Sequence, residues 1–394
     1  EDQELVADLL LRASRSTDRP DWETLLYAST LFAEQGRLEK ALDAFDLSIA
    51  AGLRDPDLAV ELPALEPVRL DDAWPQRLER VRAARAAYLD DIADPQLFEE
   101  LDAMWRQDQE AHRRWSEAQA GEEATRDLMA VLQENQNRLD AIIDEVGWPG
   151  FKLVGEDGAK LSWAIAQHAQ SVEFQRKCLR LIAAAVARGD DHPQHYAELH
   201  DRIARQTWQR QLFGASMASQ APYPIEDEAR VDARRARLGL LEPVEYYAAA
   251  HGLSYRVPSP EQAERGRAAS RERARQLLRE LEAAIDRGDV ASSRRIFREA
   301  SALHGDLSSL ELYDIVGKLA SANWRSSDPN DAESKAAESK AADSRVAGHL
   351  SLRILHVIAD RRWSHRFAIP SDGRLTPLHG LDGWRDVVAA LKQP

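Results

Sequence analysis

Apolar residues recur every three or four positions along most of the chain, which is the spacing of one face of an α-helix. The clearest stripe consists of Leu128, Val131, Leu132, Leu139, Ile142, Ile143 and Val146. Gly147-Trp148-Pro149-Gly150 follows directly and predicts the end of that helix. A half-buried β-strand would alternate apolar and polar residues, and no convincing series of such segments is present. The pattern predicts an all-α protein.

The first 93 residues predict short helices joined by tight turns. One helix is expected over Asp21–Gln35 and a second over Leu38–Ala51, with a glycine after each. The positions where a tetratricopeptide repeat carries its packing residues are filled by Phe32, Gly36, Ala41 and Phe45, so this pair resembles one such repeat. Because a single helical hairpin cannot bury its own apolar face, neighbouring helices are expected to stack on it.

A similar sequence pattern, here called the echo, occurs once near each end of the chain. Leu65-Glu66-Pro67-Val68 precedes a helix led by Trp74, and Leu375-Thr376-Pro377-Leu378 precedes a helix led by Trp384. Both stretches resemble the element that closes short tetratricopeptide arrays, in which the tryptophan packs over the last hairpin. The alternative is two unrelated helices that happen to begin with tryptophan.

Three parts are predicted. Tetratricopeptide-like helical modules of residues 1–93 and 258–394 flank a central α-helical domain of residues 94–257. The second boundary lies at Val257-Pro258-Ser259-Pro260, because neither proline fits inside a helix.

Within the C-terminal module, a long charged helix is expected over Glu261–Arg287, followed by helices over Ser292–Ala302 and Leu310–Ala320. The low-complexity polar stretch 326–344 predicts either a solvated helix or a flexible connector.

The helix after Gly158 places polar side chains where apolar ones are expected. If Leu161–Leu179 is one continuous helix, His168 and Gln175 lie on its buried stripe, and buried polar groups need partners. The next helix, His195–Gln206, offers partners in Asp201 and Arg202. Further polar groups follow at Gln211, Gly214 and Pro224-Ile225-Glu226-Asp227.

Residues 95–250 resemble a bacterial family of unassigned activity, the domain of unknown function 6624 family. The motifs that carry the resemblance are Asn137-Arg138-Leu139, Gly147-Trp148-Pro149, Val154-Gly155, Gln167-His168-Ala169, Gln175, Asp201-Arg202, Gln211, Pro224-Ile225-Glu226-Asp227, Arg234-Arg235 and Gly239-Leu240. The family pattern usually reads Gln-x-Tyr-Gly-Thr-Gln where this chain reads Gln211-Leu212-Phe213-Gly214-Ala215-Ser216. That departure removes three polar groups from the candidate site, so an activity shared by the family can be weakened or lost here.

The candidate catalytic residues are His168, as general base, and Asp201, as its orienting partner. Candidate substrate contacts are Gln175, Arg202, Gln211, Glu226 and Asp227, among which the guanidinium of Arg202 suits an anion. The competing interpretation is structural: His168 as a satisfied core histidine, Asp201-Arg202 as an ion pair that fixes helix packing, and Glu226-Asp227 as caps of the following helix.

Composition narrows the classes of function. With 52 Lys and Arg against 67 Asp and Glu, the net charge is −15, which argues against general binding to nucleic acid or anionic membranes. No apolar run is long enough to span a membrane. The lone Cys178 excludes an internal disulfide or cysteine-based zinc site and predicts a buried, inert thiol. His192, His195 and His200 are not spaced to share a metal ion, so neither metal nor cofactor is expected.

Two functions stay open. The leading one is binding of a protein or peptide by a helical-repeat scaffold, on the analogy of other repeat proteins with concave surfaces. The alternative is an enzyme, a hydrolase for example, whose site is built around His168, Asp201 and Arg202. Glu1 is compatible with a cytoplasmic protein and with removal of a signal peptide, so the compartment stays open, as does the oligomeric state.

Overall fold

Helices form the regular structure of the chain wherever a computed structural model describes it. The described residues are 2–15, 21–218, 221–240, 242–287, 308–325, 351–361 and 366–372, together with short pieces of 292–299 and 375–392 and residues 348 and 364. Within them, β-structure is limited to two isolated bridges, Gln211 with Ile225 and Met217 with Pro222. The all-α prediction is confirmed.

The helices follow one another with short connections. The first group is α1 (Asp2–Arg15), α2 (Trp22–Glu34), α3 (Leu38–Ala50), α4 (Pro56–Glu61), α5 (Glu66–Arg69) and α6 (Trp74–Asp91). The second group is α7 (Pro95–Glu117), α8 (Glu122–Val146), α9 (Phe151–His168), α10 (Val172–Ala187), α11 (Pro193–Gln206), α12 (Val231–Leu238) and α13 (Val244–Ala250). The last group is α14 (Pro260–Asp286), helices Ser309–Arg325 and Trp384–Lys392, and the helical residues 351–360. None of these helices combines the length and the apolar character needed to cross a membrane.

Two compact units emerge from the packing. The first comprises residues 1–99 with 152–155, and the second comprises 100–151 with 156–394. The predicted boundary near residue 257 therefore falls inside the second unit, and the division into three parts stays a prediction.

The hairpin of α2 and α3 forms the core of the first unit. Asp21 caps α2 by accepting the backbone N–H of Thr24 at 2.9 Å, and the Ser29 hydroxyl ties the hairpin by donating to the Ala41 carbonyl at 2.8 Å. Phe32 and Phe45 are fully buried between the helices. The ring of Trp74 lies 5.4 Å from that of Phe45, so this tryptophan does pack on the hairpin. That the arrangement is a tetratricopeptide repeat stays a prediction.

A kink near the start of α9 also belongs to the first unit. Gly155 has φ of +71°, a backbone conformation that favours glycine. The Tyr88 hydroxyl donates to the Val154 carbonyl at 2.9 Å and fills the space that a side chain at residue 155 would need. The glycine therefore meets two requirements at once, a left-handed backbone and a close approach.

The expected continuous helix over Leu161–Leu179 is wrong, because α9 ends at His168 and α10 begins at Val172. Ala169 is extended, with ψ of 144°, and Ser171 caps α10 by accepting the N–H of Phe174 at 3.2 Å. The side-chain amide of Gln175 donates to the carbonyls of Gln167 and Ala169 at 3.1 and 3.0 Å. Local side-chain bonds at a serine and a glutamine thus replace the helical bonds that periodicity predicts.

The C-terminal part of the second unit has an apolar core that includes the buried Trp384 and Leu375. The predicted charged helix is present as α14, which begins with a capping box between Ser259 and Gln262. The predicted stretch 326–344, most of 292–302, and Thr376, Pro377 and Asp382 of the echo lie outside the described residues.

Contacts from residues 360 and 361 reach the helices before them. Arg361 donates to the carbonyls of Thr207, at 3.0 Å, and Trp208, which follow α11 directly. The backbone carbonyl of Asp360 accepts a bond of 2.6 Å from Arg176 on α10. The end of α11 is thereby tied to a segment more than 150 residues away in the chain.

We predict that Gly150→Ala destabilises the protein. An added Cβ would overlap the backbone carbonyl oxygen of Asp190, which accepts the Phe151 N–H at 2.9 Å. Moving this oxygen away would strain the backbone and disturb that hydrogen bond. We expect the free energy of unfolding, measured by urea denaturation, to fall by about 1–3 kcal/mol. The control is Gly266→Ala in α14, where a Cβ meets open space; it should raise stability by about 0.5–1 kcal/mol. Equal stability of the two variants would contradict this account of Gly150.

Candidate functional site

A carboxylate with no exposed surface lies on α7. Oδ1 of Asp108 is 2.8 Å from Nδ1 of His168 and 3.0 Å from Nδ1 of His112, while Oδ2 meets no hydrogen-bond donor among the described residues. The Gln109 side-chain amide also donates to Oδ1, at 3.1 Å. We call Asp108, His112 and His168 the Asp108 centre.

Helix geometry brings these residues together. His112 stands one turn after Asp108 on α7, so its Nδ1 also comes within 2.9 Å of the Asp108 backbone carbonyl. His168 is the last residue of α9, and its ring lies 4.9 Å from that of His112 and 5.3 Å from that of Trp105. The side chain of His112 is 36% exposed and that of His168 is 22% exposed, whereas the carboxylate of Asp108 is fully buried. The centre is therefore accessible to solvent through its histidines only.

Arg202 of α11 adds a buried positive charge near the carboxylate. Burial lowers the pKa of Arg202 to about 10, the charge of Arg205 adds to that fall, and the charge of Asp108 opposes it. The Nε atom is buried and meets no acceptor in the described part of the chain. An unpaired buried polar atom costs about 1–3 kcal/mol, so a guanidinium left in this state is suited to an external anion.

Two glutamines bring further unpaired oxygens. Oε1 of Gln175 and Oε1 of Gln206 are both buried without a donor among the described residues. Gln206 stands one turn after Arg202 on α11, and Gln175 caps the end of α9 that carries His168. Buried unpaired groups are few in folded proteins, and each is a reason to look for function.

Asp201 is not the partner of His168. The carboxylate that contacts His168 is Asp108. The buried carboxylate of Asp201 accepts the backbone N–H groups of Leu212, Phe213 and Ala215 at 2.8, 3.0 and 2.9 Å, and Nδ1 of His200 lies 3.1 Å away. Consecutive residues on a helix point about 100° apart, so Asp201 and Arg202 serve different neighbours. Asp201 shapes the loop after α11.

Gln211 also belongs to that loop. Its side-chain oxygen accepts the N–H of Ser216 at 2.8 Å, and its amide donates to the carbonyls of Ser216 and Tyr223 at 3.0 and 2.5 Å. Gly214, next to the departure from the family pattern, has φ of +66°, and a Cβ at this position would overlap the side chain of Val244. These residues fix the loop conformation through bonds to its backbone.

Glu226 and Asp227 act through their backbone. Their carbonyls accept bonds from the guanidinium of Arg234, at 3.0 Å for Asp227. Asp227 has φ of +41°, and its side chain makes no capping bond to the helical turn Glu228–Arg230, so the predicted side-chain cap is not formed. The side chain of Glu226 is exposed. Of the predicted residues, the structure brings His168 into contact with Asp108, leaves Arg202 in electrostatic interaction with the same carboxylate, and places Asp201, Gln211, Glu226 and Asp227 in the loop network.

Asp108 and His112 were missed by sequence reasoning, although a signal was present. Leu101, Met104, Asp108 and Ala111 are all buried at spacings of three and four on α7. A carboxylate on an apolar stripe is the same anomaly that singled out His168. The i, i+4 spacing of Asp108 and His112 makes that signal stronger.

A second aspartate–histidine pair lies at the start of α11. Nδ1 of His195 is 2.6 Å from Oδ1 of the buried Asp191, whose Oδ2 accepts the indole N–H of Trp148 at 2.6 Å. The ring of Trp163 stacks on His195 at 4.8 Å. His195 and His200 therefore serve different carboxylates, as their spacing predicts. Cys178 is buried, as also expected, and burial raises the pKa of its thiol.

The geometry defines a class of site: a buried carboxylate in contact with two accessible imidazoles, within an all-α fold, and the charge of Arg202 interacts with that carboxylate. Residues 95–256 match the model of a family described as Family of unknown function (DUF6624), which confirms the resemblance for the central part of the chain. No curated protein and no solved structure matches the chain.

We predict that Asp201→Asn destabilises the second unit without touching the Asp108 centre. The substitution removes a charge that accepts three backbone N–H groups and turns an amide N–H₂ toward at least one of them. We expect a loss of about 2–3 kcal/mol in the free energy of unfolding by chemical denaturation. Asp227→Asn, at a partly exposed carboxylate 3.6 Å from Arg230, is the control and should change stability by less than about 0.5 kcal/mol. A wild-type value for Asp201→Asn would refute its structural role.

Proposed function

We propose that the central region is an enzyme of the hydrolase class, with the Asp108 centre as its active site. The observation that carries the proposal is a fully buried carboxylate in contact with two imidazoles that solvent can reach. A carboxylate in this position fixes the orientation and tautomer of its histidines, as it does where histidine moves protons in catalysis.

Such a centre can activate water in two ways. Proton transfer to an imidazole and coordination to a metal ion both generate a nucleophile at neutral pH, and the residues present suit either route. On the proton-transfer route Nδ1 of each histidine faces Asp108, so the Nε2 edge of the ring is left for water or substrate. On the metal route the Nδ1 atoms themselves would bind the ion. Both routes depend on the side chains of Asp108 and His168, so substitution of either residue should reduce activity.

Arg202 supports an anionic substrate, such as a phosphate ester or the ester of a carboxylic acid with a second acidic group. Its buried Nε has no acceptor among the described residues, and a guanidinium binds carboxylate and phosphate groups through paired hydrogen bonds. The same charge would stabilise negative charge that develops on the substrate as water attacks.

We predict that the full chain hydrolyses a nitrophenyl ester or phosphate ester and that His168→Gln and Asp108→Asn each lower kcat/KM at least about 100-fold. Release of nitrophenol from p-nitrophenyl phosphate, bis-p-nitrophenyl phosphate and p-nitrophenyl acetate measures this. His251→Gln replaces an exposed histidine bonded to the Tyr247 carbonyl and serves as the matched control. Melting temperatures verify that the variants are folded. Hydrolysis by the two centre variants at the wild-type rate would reject the proposal.

Binding of a protein or peptide by the N-terminal helices is the second candidate. Large exposed apolar side chains are concentrated in the first unit, at Val6, Leu9, Tyr27, Leu38, Val60 and Leu70. Exposed apolar residues mark a site of interaction where they form one contiguous patch, and we propose that some of these do so around Tyr27.

We predict that peptides selected on the wild-type chain from a displayed random library lose at least tenfold in affinity for Tyr27→Ser, whose ring is 55% exposed. Fluorescence anisotropy of a labelled selected peptide gives the dissociation constant. Tyr246→Ser, in the second unit and 70% exposed, is the control and should bind as wild type does. Equal losses at both tyrosines, or none at either, would count against a site on the first unit.

A further inference from the structure

We infer that Asp108, His112 and His168 bind one divalent transition-metal ion of the zinc and iron(II) class. The inference deepens the proposed function, on which it rests only for the catalytic consequence of the ion. Ligand binding itself is argued below from geometry, burial and the chemistry of the donors.

The three side chains converge within a coordination sphere. One ligand atom from each lies within 4.8 Å of the other two, and Oδ1 of Asp108 is 2.8 and 3.0 Å from the two Nδ1 atoms. Metal bonds to imidazole nitrogen and carboxylate oxygen are about 2.0–2.2 Å long, so two ligands of one ion stand roughly 3.0 Å apart at a right angle and roughly 3.4 Å apart at the tetrahedral angle of zinc. The observed separations of 2.8 and 3.0 Å are closer to the right-angle spacing of a six-coordinate ion, and a tetrahedral zinc ion would require the ligands to move apart by about half an ångström.

The unpaired oxygen of Asp108 is an independent observation that points to a cation. Oδ2 is buried, the side chain has no exposed surface, and no donor among the described residues reaches this atom. A carboxylate removed from water needs compensation at both oxygens. A metal ion held by both oxygens of this carboxylate would provide it.

The kinds of ligand select the kind of ion. Calcium and magnesium prefer sites made of oxygen, whereas two imidazoles and one carboxylate suit zinc and iron(II). Three protein ligands leave positions open for water and substrate, which is the pattern of catalytic sites and not of structural ones. The exposed parts of His112 and His168 give access to those positions.

The charge of Arg202 bears on the affinity of the site for a cation. Its positive charge near Asp108 opposes a cation, so we expect weaker binding than at a structural zinc site without such a neighbour. The ion and the guanidinium together would leave the centre positively charged. An anionic substrate would then bind between them and strengthen the binding of the metal.

The test is a metal titration of the full chain after removal of metals with EDTA and dialysis. Isothermal titration calorimetry with Zn²⁺ should give one site, and Co²⁺ should produce a visible absorption band at one equivalent. His112→Gln, at a partly exposed histidine, should weaken Zn²⁺ binding at least tenfold and abolish the Co²⁺ band, as should Asp108→Asn. His251→Gln should bind both ions as the wild type does.

Either of two results would overturn the inference: no binding of Zn²⁺ or Co²⁺ by the wild type, or equal binding by His112→Gln and the wild type. Melting temperatures with and without Zn²⁺ show whether each variant is folded. Should Asp108→Asn not fold, His112→Gln decides the question alone.

The same titration separates this inference from the proposed function. Binding of zinc without hydrolysis of any ester would support the metal site and reject the hydrolase. Hydrolysis that is unchanged in EDTA-treated protein, together with no binding of Zn²⁺ or Co²⁺, would support the hydrolase and reject the metal site.

Discussion

A charge buried away from water is the constraint on which the arrangement of the central helices depends. Asp108 is stable inside the protein only if polar groups surround it, and α7 itself supplies just one nearby imidazole, His112. The other comes from a different helix, α9, whose last residue, His168, reaches the same oxygen of the carboxylate. The end of α9 and the middle of α7 are thus linked through one buried carboxylate.

The break between α9 and α10 meets that need with groups from the chain nearby. Ser171 accepts the N–H of Phe174 at the start of α10, and Gln175 donates to two carbonyls at the end of α9. Side chains within a few residues thus pair with one N–H at the start of α10 and two carbonyls at the end of α9, where helical partners are missing. His168, at that end, packs between the rings of Trp105 and His112.

The sequence was sufficient for what depends on local periodicity. The bounds of α2, α3 and α14 agree with prediction to within a residue or so, since glycine, proline and serine mark their ends clearly. The continuous helix across Ala169 was wrong because the bonds of Ser171 and Gln175 outweigh a pattern that runs on through the break. Single-residue side-chain bonds of this kind leave almost no trace in apolar spacing.

Long-range partners were the part that periodicity could not supply. His168 was correctly selected as an anomaly, but Asp201 and Arg202 are adjacent in sequence and face different neighbours, which a string of letters does not reveal. Asp108 is 60 residues from His168, and only the packing of α7 against α9 shows that they meet. Its place on an apolar stripe could have marked it as a candidate, but could not have identified its partner.

The bonds from Arg361 have a consequence for how the central region can be isolated. Residues 95–256 are what the family model recognises, yet the carbonyls of Thr207 and Trp208 within them accept bonds from a residue about a hundred positions beyond that range. Trp208 also packs against the apolar core of the C-terminal part. A fragment cut at the family boundary would expose this surface at the end of α11, the helix that carries Arg202. In this chain, the segment that matches the family model is shorter than the segment whose contacts hold the end of α11 in place.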